Sequence, residues 1–207
     1  METLIAQESV HEAESWKAAT ITSPPLRRPA EKLTFEQASK LAAGRSFELI
    51  DGRVVFKMPD NKHAHAQTIL GYELVAYLKG HPLGRVFTEF TFRLWPDNPY
   101  ESRIPDLSVI LNEHFKDERY GSRAPDLAVE IISRDDVWSA LFEKADLYFE
   151  KGSRVVWFVD PYREVVLVVT PNDQQWVKDT LTCPELLPGF AVKLREIFNW
   201  PEASKRE

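Results

Sequence analysis

The chain has 207 residues, 43% of them hydrophobic, which suits one domain with a sizeable core and is slightly short for two. Its 26 Lys and Arg against 32 Asp and Glu leave a formal charge of −6, which argues against a general nucleic-acid coat but leaves room for a local basic groove. The single cysteine, Cys183, excludes an internal disulfide and a thiolate metal cage and makes a reducing cytoplasm the expected setting. Residues 1–17 carry four glutamates and no apolar signal region, and the apolar runs at 155–159 and 165–169 are too short to span a bilayer, so no membrane association is expected.

In chain order, residues 1–30 are polar and close on "TSPPLRRPA", which reads as a flexible arm ahead of one domain at 31–200 and a tail at 201–207. Thr34 and Gln37 fit a capping box for a short helix that Gly44 stops. "SFELIDGRVVFKM" places two apolar runs about Asp51 and Gly52, a strong hairpin signal. Residues 62–79 set Ile69, Leu70, Leu74, Tyr77 and Leu78 at helical spacing, with Gly80 and Pro82 as the stop. "RVFTEFTFRLW" then alternates as a partly exposed strand does, and two short apolar strands follow. From Asp135 to Lys151 the pattern is helical, with Val137, Trp138, Leu141, Phe142, Ala145, Tyr148 and Phe149 on one side. A second hairpin turns at Asp160 and Pro161, and "LLPGFAVKLREIF" ends the fold as a strand and a short helix. This order predicts an α/β domain: a mixed central sheet flanked by helices, preceded by an N-terminal hairpin.

The two apolar strands open alike, as "SRIPDLSVI" at 102–110 and "SRAPDLAVE" at 122–130, and differ sharply only where Ile110 becomes Glu130. Proline setting the chain direction, aspartate satisfying a turn and leucine entering a core explain the shared part. They do not explain Glu130, which shares one strand face with Ala128 and Ile132 in a run of aliphatics. An unpaired carboxylate there would cost on the order of several kcal/mol, so it must be paired, protonated or bound to a cation. Asp106, Ser108 and Ile110 share a face of the preceding strand, so side-by-side strands would bring Asp106 to Glu130. Two close carboxylates stay ionised together only beside a cation, and an all-oxygen pair with open positions suits a hard divalent ion such as magnesium. The plainer alternative is a salt bridge to a nearby Lys or Arg. Lys144 falls within the apolar stripe of its helix, so it either reaches the rim or points at an anion. Two acids, a hard metal and a lysine make a site for hydrolysing phosphate esters.

The motifs "FELIDGRVV", "KHAHAQ", "PDLSVI", "APDLAVEIIS", Lys144, Tyr148, "GSRVVWFVDP" and "LPGF" occur in an order that resembles the Uma-type restriction endonuclease family, a branch of the PD-(D/E)xK nuclease superfamily. The resemblance covers Leu33 to Phe198 and implies a restriction-endonuclease-like core. It implies that Asp106 is the PD aspartate, that Glu130 is the second acid, and that both hold the metal. The usual lysine two residues after that acid is absent, since Ile132 stands there, and the resemblance implies a lysine migrated to Lys144. Glu48 matches a family-typical acid on the first hairpin, although a surface strand glutamate is the other reading. His65, ahead of His63, is a candidate to touch phosphate or to cap the helix, and Gln67 is a weaker candidate of the same kind. Asp126 is expected to lie apart from the site.

The leading expectation is a magnesium-dependent endonuclease, with manganese as a substitute ion, hydrolysing DNA phosphodiesters with Asp106, Glu130, Lys144, Glu48 and His65. Arg103, Arg123 and Arg134 could steer the DNA backbone or be solvated surface charges. A homodimer is expected by analogy with enzymes that cut both strands. The alternative is a catalytically inactive module of the same fold for nucleic-acid binding or dimerisation, and a purely structural partner protein ranks third.

Overall fold

A computed structural model describes residues 31–201. The expected N-terminal arm and the end of the expected tail lie outside the described residues.

Helix α1 (Phe35–Ala42) starts at Thr34, whose side chain accepts from the Gln37 amide while Gln37 reaches back, closing the expected capping box. Strands β1 (Phe47–Ile50) and β2 (Arg53–Phe56) pair antiparallel about Asp51 and Gly52, which sit at φ 50° and 74°. Both turn positions therefore take the left-handed conformation that suits the twist of a two-residue hairpin. Helix α2 (Asn61–Gly80) follows, capped by the Asp60 carboxylate, which accepts from the His63 amide.

The centre is a six-stranded sheet in the order β3 (Gly84–Thr88), β4 (Leu107–Leu111), β5 (Leu127–Ile131), β6 (Val155–Asp160), β7 (Val165–Val169) and β8 (Gln174–Val177). All neighbours run antiparallel except β5 and β6, which are joined by helix α3 (Trp138–Glu150) as a parallel pair requires. The sheet is therefore mixed. Its two apolar faces are covered by different helices. Leu70, Leu74 and Leu78 of α2 pack with Leu107, Val109, Leu127, Val129 and Trp157, while Leu141, Ala145 and Tyr148 of α3 pack with Ala128, Ile132, Val156 and Phe158. Every residue of β5 and of β6 is buried, which is why both read as unbroken apolar runs. A second small sheet, β9 (Thr180–Cys183) with β10 (Leu187–Lys193), leads into helix α4 (Leu194–Ile197) and adds to the core on the α2 side.

Three details depart from the sequence reading. The strand expected through Arg93 ends at Thr88, because Glu89 turns to φ 49° and breaks the ladder; Phe92 then pairs only as an isolated bridge. Helix α3 begins at Trp138 and leaves Val137 62% exposed at the cap position, off the stripe it was expected to join. Strands β8 and β9 were not anticipated, since "QQWV" and "TLTC" carry little apolar periodicity of their own. The two PDL strands do lie inside the sheet, side by side.

Candidate active site

The β4–β5 register pairs Leu107 with Val129 and Ser108 with Ala128, so one further step sets Asp106 across from Glu130. Each PD aspartate stands at the start of its strand and accepts the amide at the end of its antiparallel partner. Asp106 Oδ2 takes Ile131 N at 2.6 Å, and Asp126 Oδ2 takes Leu111 N at 2.9 Å. The repeated motif is thus a strand-end device used twice, in opposite directions.

The two ends then diverge. At the Asp126 end, Oδ1 meets His114 Nδ1 at 2.7 Å and Arg123 at 3.3 Å, and Ile110 stands where the other copy has an acid. At the Asp106 end, Oδ1 lies 2.7 Å from Lys57 Nζ and 3.3 Å from His63 Nε2. Glu130 joins it there: its Oε2 is 3.6 Å from Lys57 Nζ and 2.8 Å from Lys144 Nζ. Lys144 also reaches Glu48 Oε1 at 2.8 Å. The result is a line of alternating charge, Asp106, Lys57, Glu130, Lys144, Glu48, with Glu130 shared by both lysines. Three carboxylates face two ammonium groups, so the line is one positive charge short of balance. The sequence-derived salt-bridge alternative is therefore present in part, supplied by lysines.

Backbone and side-chain donors hold the acids in place. Ile104 N donates to Glu48 Oε1 at 2.8 Å, Tyr148 Oη donates to Glu130 Oε1 at 2.9 Å, and Gln67 Nε2 donates to the Asp106 carbonyl at 2.9 Å. All three acids are buried. Burial works against the Asp106 anion, but Lys57 and His63 outweigh it and hold its carboxyl well below the usual range. Burial also opposes ionisation of Glu48, where Lys144 and Lys57 again win and lower it. For Glu130, burial together with the Asp106 and Glu48 charges exceeds the pull of Lys144 and Lys57, so it lies above its ordinary value and is the easiest of the three to protonate. Both lysines are raised: burial disfavours their charge, and the surrounding carboxylates more than restore it. Burial and the Glu130 charge push Tyr148 well up, so it serves as a hydrogen-bond donor.

The cluster lines a cleft of about 640 Å³ whose walls include Ile50, Met58, Val137, Asp135 and Glu143. His65 is not brought into this cluster. It sits on α2 away from the acids, with Nε2 2.7 Å from Asn199 Oδ1 and its ring 5.0 Å from Trp200; His63, two residues and so just over half a turn earlier, is the histidine that faces Asp106. Arg103 is buried against the Leu49 carbonyl and Glu101, and Arg123 is tied to the Gly152 carbonyl and Asp126, so neither is free to steer a ligand. Arg134 is exposed over the Tyr162 ring. Lys57 was missed by the sequence reading, although hairpin register reveals it: Glu48 pairs with Val55, and Lys57 is two residues further along the same face.

Among the described residues, no group of three or more His, Cys, Asp and Glu forms a metal cage. What the cluster does offer is a seat between Asp106 Oδ1 and Glu130 Oε2, where the Lys57 ammonium stands. An all-oxygen donor pair already arranged about a positive charge fits a hard cation that keeps several of its waters.

Among solved structures, the chain resembles a putative nuclease belonging to DUF820 from Anabaena variabilis ATCC 29413, with a TM-score of 0.67 and 21% identity over 81% of this chain and 98% of that one. That likeness shows the fold, which is restriction-endonuclease-like. No curated protein matches the chain. The profile of the Uma2 family, described as a putative restriction endonuclease, matches residues 34–195, and a match of that extent, spanning the hairpin, both PDL strands and helix α3, shows that the chain belongs to the Uma2 family.

Proposed function

We propose that the protein is a magnesium-dependent endonuclease, with manganese able to substitute, that hydrolyses DNA phosphodiester bonds at the Asp106–Glu130–Lys144 cluster. The observation that carries this reading is the convergence of two buried acids from neighbouring strands beside an inward-facing lysine, at the floor of an open cleft. Asp106 and Glu130 would hold the ion, whose chemistry is to acidify water and to offset phosphate charge.

The chain's own groups supply the rest. Ile131 N and Tyr148 Oη fix the two ligand carboxylates, so neither has to reorganise on binding. Lys144, held between Glu48 and Glu130, carries ammonium protons toward the cleft for the attacking water or the charge that builds on phosphorus. Glu48 orients that ammonium and offers an acceptor to the water. His63 stands beside Asp106 at the entrance of α2 and is the histidine placed to meet a phosphate oxygen. Cutting both strands calls for two such sites, and a homodimer supplies them; a monomer in sedimentation at working concentration would remove that part.

Supercoiled-plasmid cleavage in magnesium tests the site. Glu130→Ala and Lys144→Ala are each expected to lose at least about a hundredfold in rate, the scale of removing a positioned charged group. Equal cleavage by both variants and the native chain would overturn the assignment. One observation favours the inactive-module reading: every acid in the cluster has a lysine partner. On that reading, manganese titration shows no binding that depends on Asp106.

A further inference from the structure

The two lysines of the cluster are anchored differently. Lys144 sits within α3, a helix whose buried face packs on the sheet, and its ammonium is shared evenly by Glu48 and Glu130 at 2.8 Å each. Lys57 lies one residue beyond the end of β2, ahead of Met58, which is 89% exposed, and its ammonium is shared unevenly, 2.7 Å from Asp106 and 3.6 Å from Glu130. Both lie at the wall of the cleft. A four-carbon stem at the end of a hairpin can swing its charge several ångströms with no change in the strand behind it. Lys144 has the same stem, but its backbone is held inside a packed helix and its ammonium by two carboxylates at equal distance.

We infer that Lys57 is a built-in counter-ion that occupies the cation seat between Asp106 and Glu130 and leaves it when a divalent ion binds. This rests on the reading of those two acids as the ligand pair. The seat has room for one positive charge between two buried carboxylates, and either an ammonium or a hard cation satisfies both oxygens. Lys57 therefore keeps two close acids ionised and folded in the absence of metal, where they would otherwise repel. Competition also lowers the apparent metal affinity by the fraction of time the seat is free. Once released, the ammonium stays tethered at the cleft, where a phosphate group of the substrate is the partner its charge then meets. Metal loading and readiness for a polyanion are in this way linked through one side chain.

Amine acylation of the native full-length chain with sulfo-NHS acetate, mapped by mass spectrometry, reports the position of Lys57 directly. Lys57 is expected to be protected in EDTA and to become reactive at saturating magnesium, while Lys144 stays protected in both. In parallel, manganese affinity is measured by electron paramagnetic resonance for the native chain, Asp106→Asn, Lys57→Gln and Lys57→Met. The Lys57 variants are expected to bind at least about tenfold more tightly than native. Two substitutions guard against one of them failing to fold. Lys57 remaining protected at saturating magnesium, or a folded Lys57 variant binding no more tightly, overturns the inference; the endonuclease reading still stands if Asp106→Asn abolishes manganese binding. Absence of manganese binding in both the native chain and the Lys57 variants overturns both.

Discussion

Asp106 and Asp126 begin with the same local task and end with different ones. Each accepts the last amide of the neighbouring strand, and each draws a histidine and a cation to its other oxygen. Glu130 decides between them, because it brings a second buried carboxylate to one end only, and Ile110 leaves the other end an ordinary capped turn. The pair can be separated experimentally. Asp126→Ala strands the buried Leu111 amide and unpairs Arg123, so it should cost about 2–4 kcal/mol in denaturant melts while leaving manganese affinity unchanged. Asp106→Asn should do the reverse on affinity, removing manganese binding at a smaller stability cost, since the amide oxygen can still accept from Ile131 N. The sequence exposed the odd residue, Glu130, through strand parity alone. It ranks His65 ahead of His63, whereas the fold turns His63 toward Asp106, because the two lie on different sides of one helix and only the docking angle of that helix sets which one faces the sheet.

Helix α2 sets that angle through its N-terminus. The Asp60 carboxylate accepts from the His63 amide at 3.0 Å and from Tyr162 Oη at 2.8 Å, tying the first turn to the β6–β7 hairpin and so placing His63 beside Asp106. Burial slightly opposes the Asp60 anion, and the His63 amide and Tyr162 hydroxyl outweigh it, so its carboxyl is depressed. A depressed acid contributes stability that is present above its unfolded pKa and is lost as pH falls through the folded one. Native protein should therefore out-melt Asp60→Asn by the largest margin between about pH 5 and 7, and the margin should shrink below about pH 4. A margin independent of pH in thermal melts would show that the cap contributes nothing through its charge. Helix α3 was legible for a related reason: its apolar stripe reveals which face Lys144 occupies before any neighbour is known. Strand β3 was overextended in the sequence reading because alternation continues to Phe92 while the backbone does not. The turn at Glu89 is held by its amide bonding the Asp106 carbonyl, a contact between segments far apart in sequence.

Across the whole molecule, the formal charge of −6 and the acidic cleft wall at Asp135 and Glu143 both oppose a polyanion. Neutralising the wall with Asp135→Asn and Glu143→Gln should tighten DNA binding several-fold at low salt, and the gain should fade as ionic strength rises toward about 0.5 M, where the screening length is only a few ångströms. A gain that persists at high salt would point to a direct contact instead. No helix among the described residues is long and apolar enough to cross a membrane. The sequence by itself determined the hairpin, the two long helices, the buried PDL strands and the anomaly of a carboxylate among aliphatics, because each of these is written in spacing of two or 3.6 residues or in a turn dipeptide. Tertiary structure alone decided the strand order, the choice of His63, and the partnership of Lys57 with Asp106 and Lys144 with Glu48. These depend on where separate elements meet, and a charge in a sequence does not say which distant charge will neutralise it until burial removes every other option.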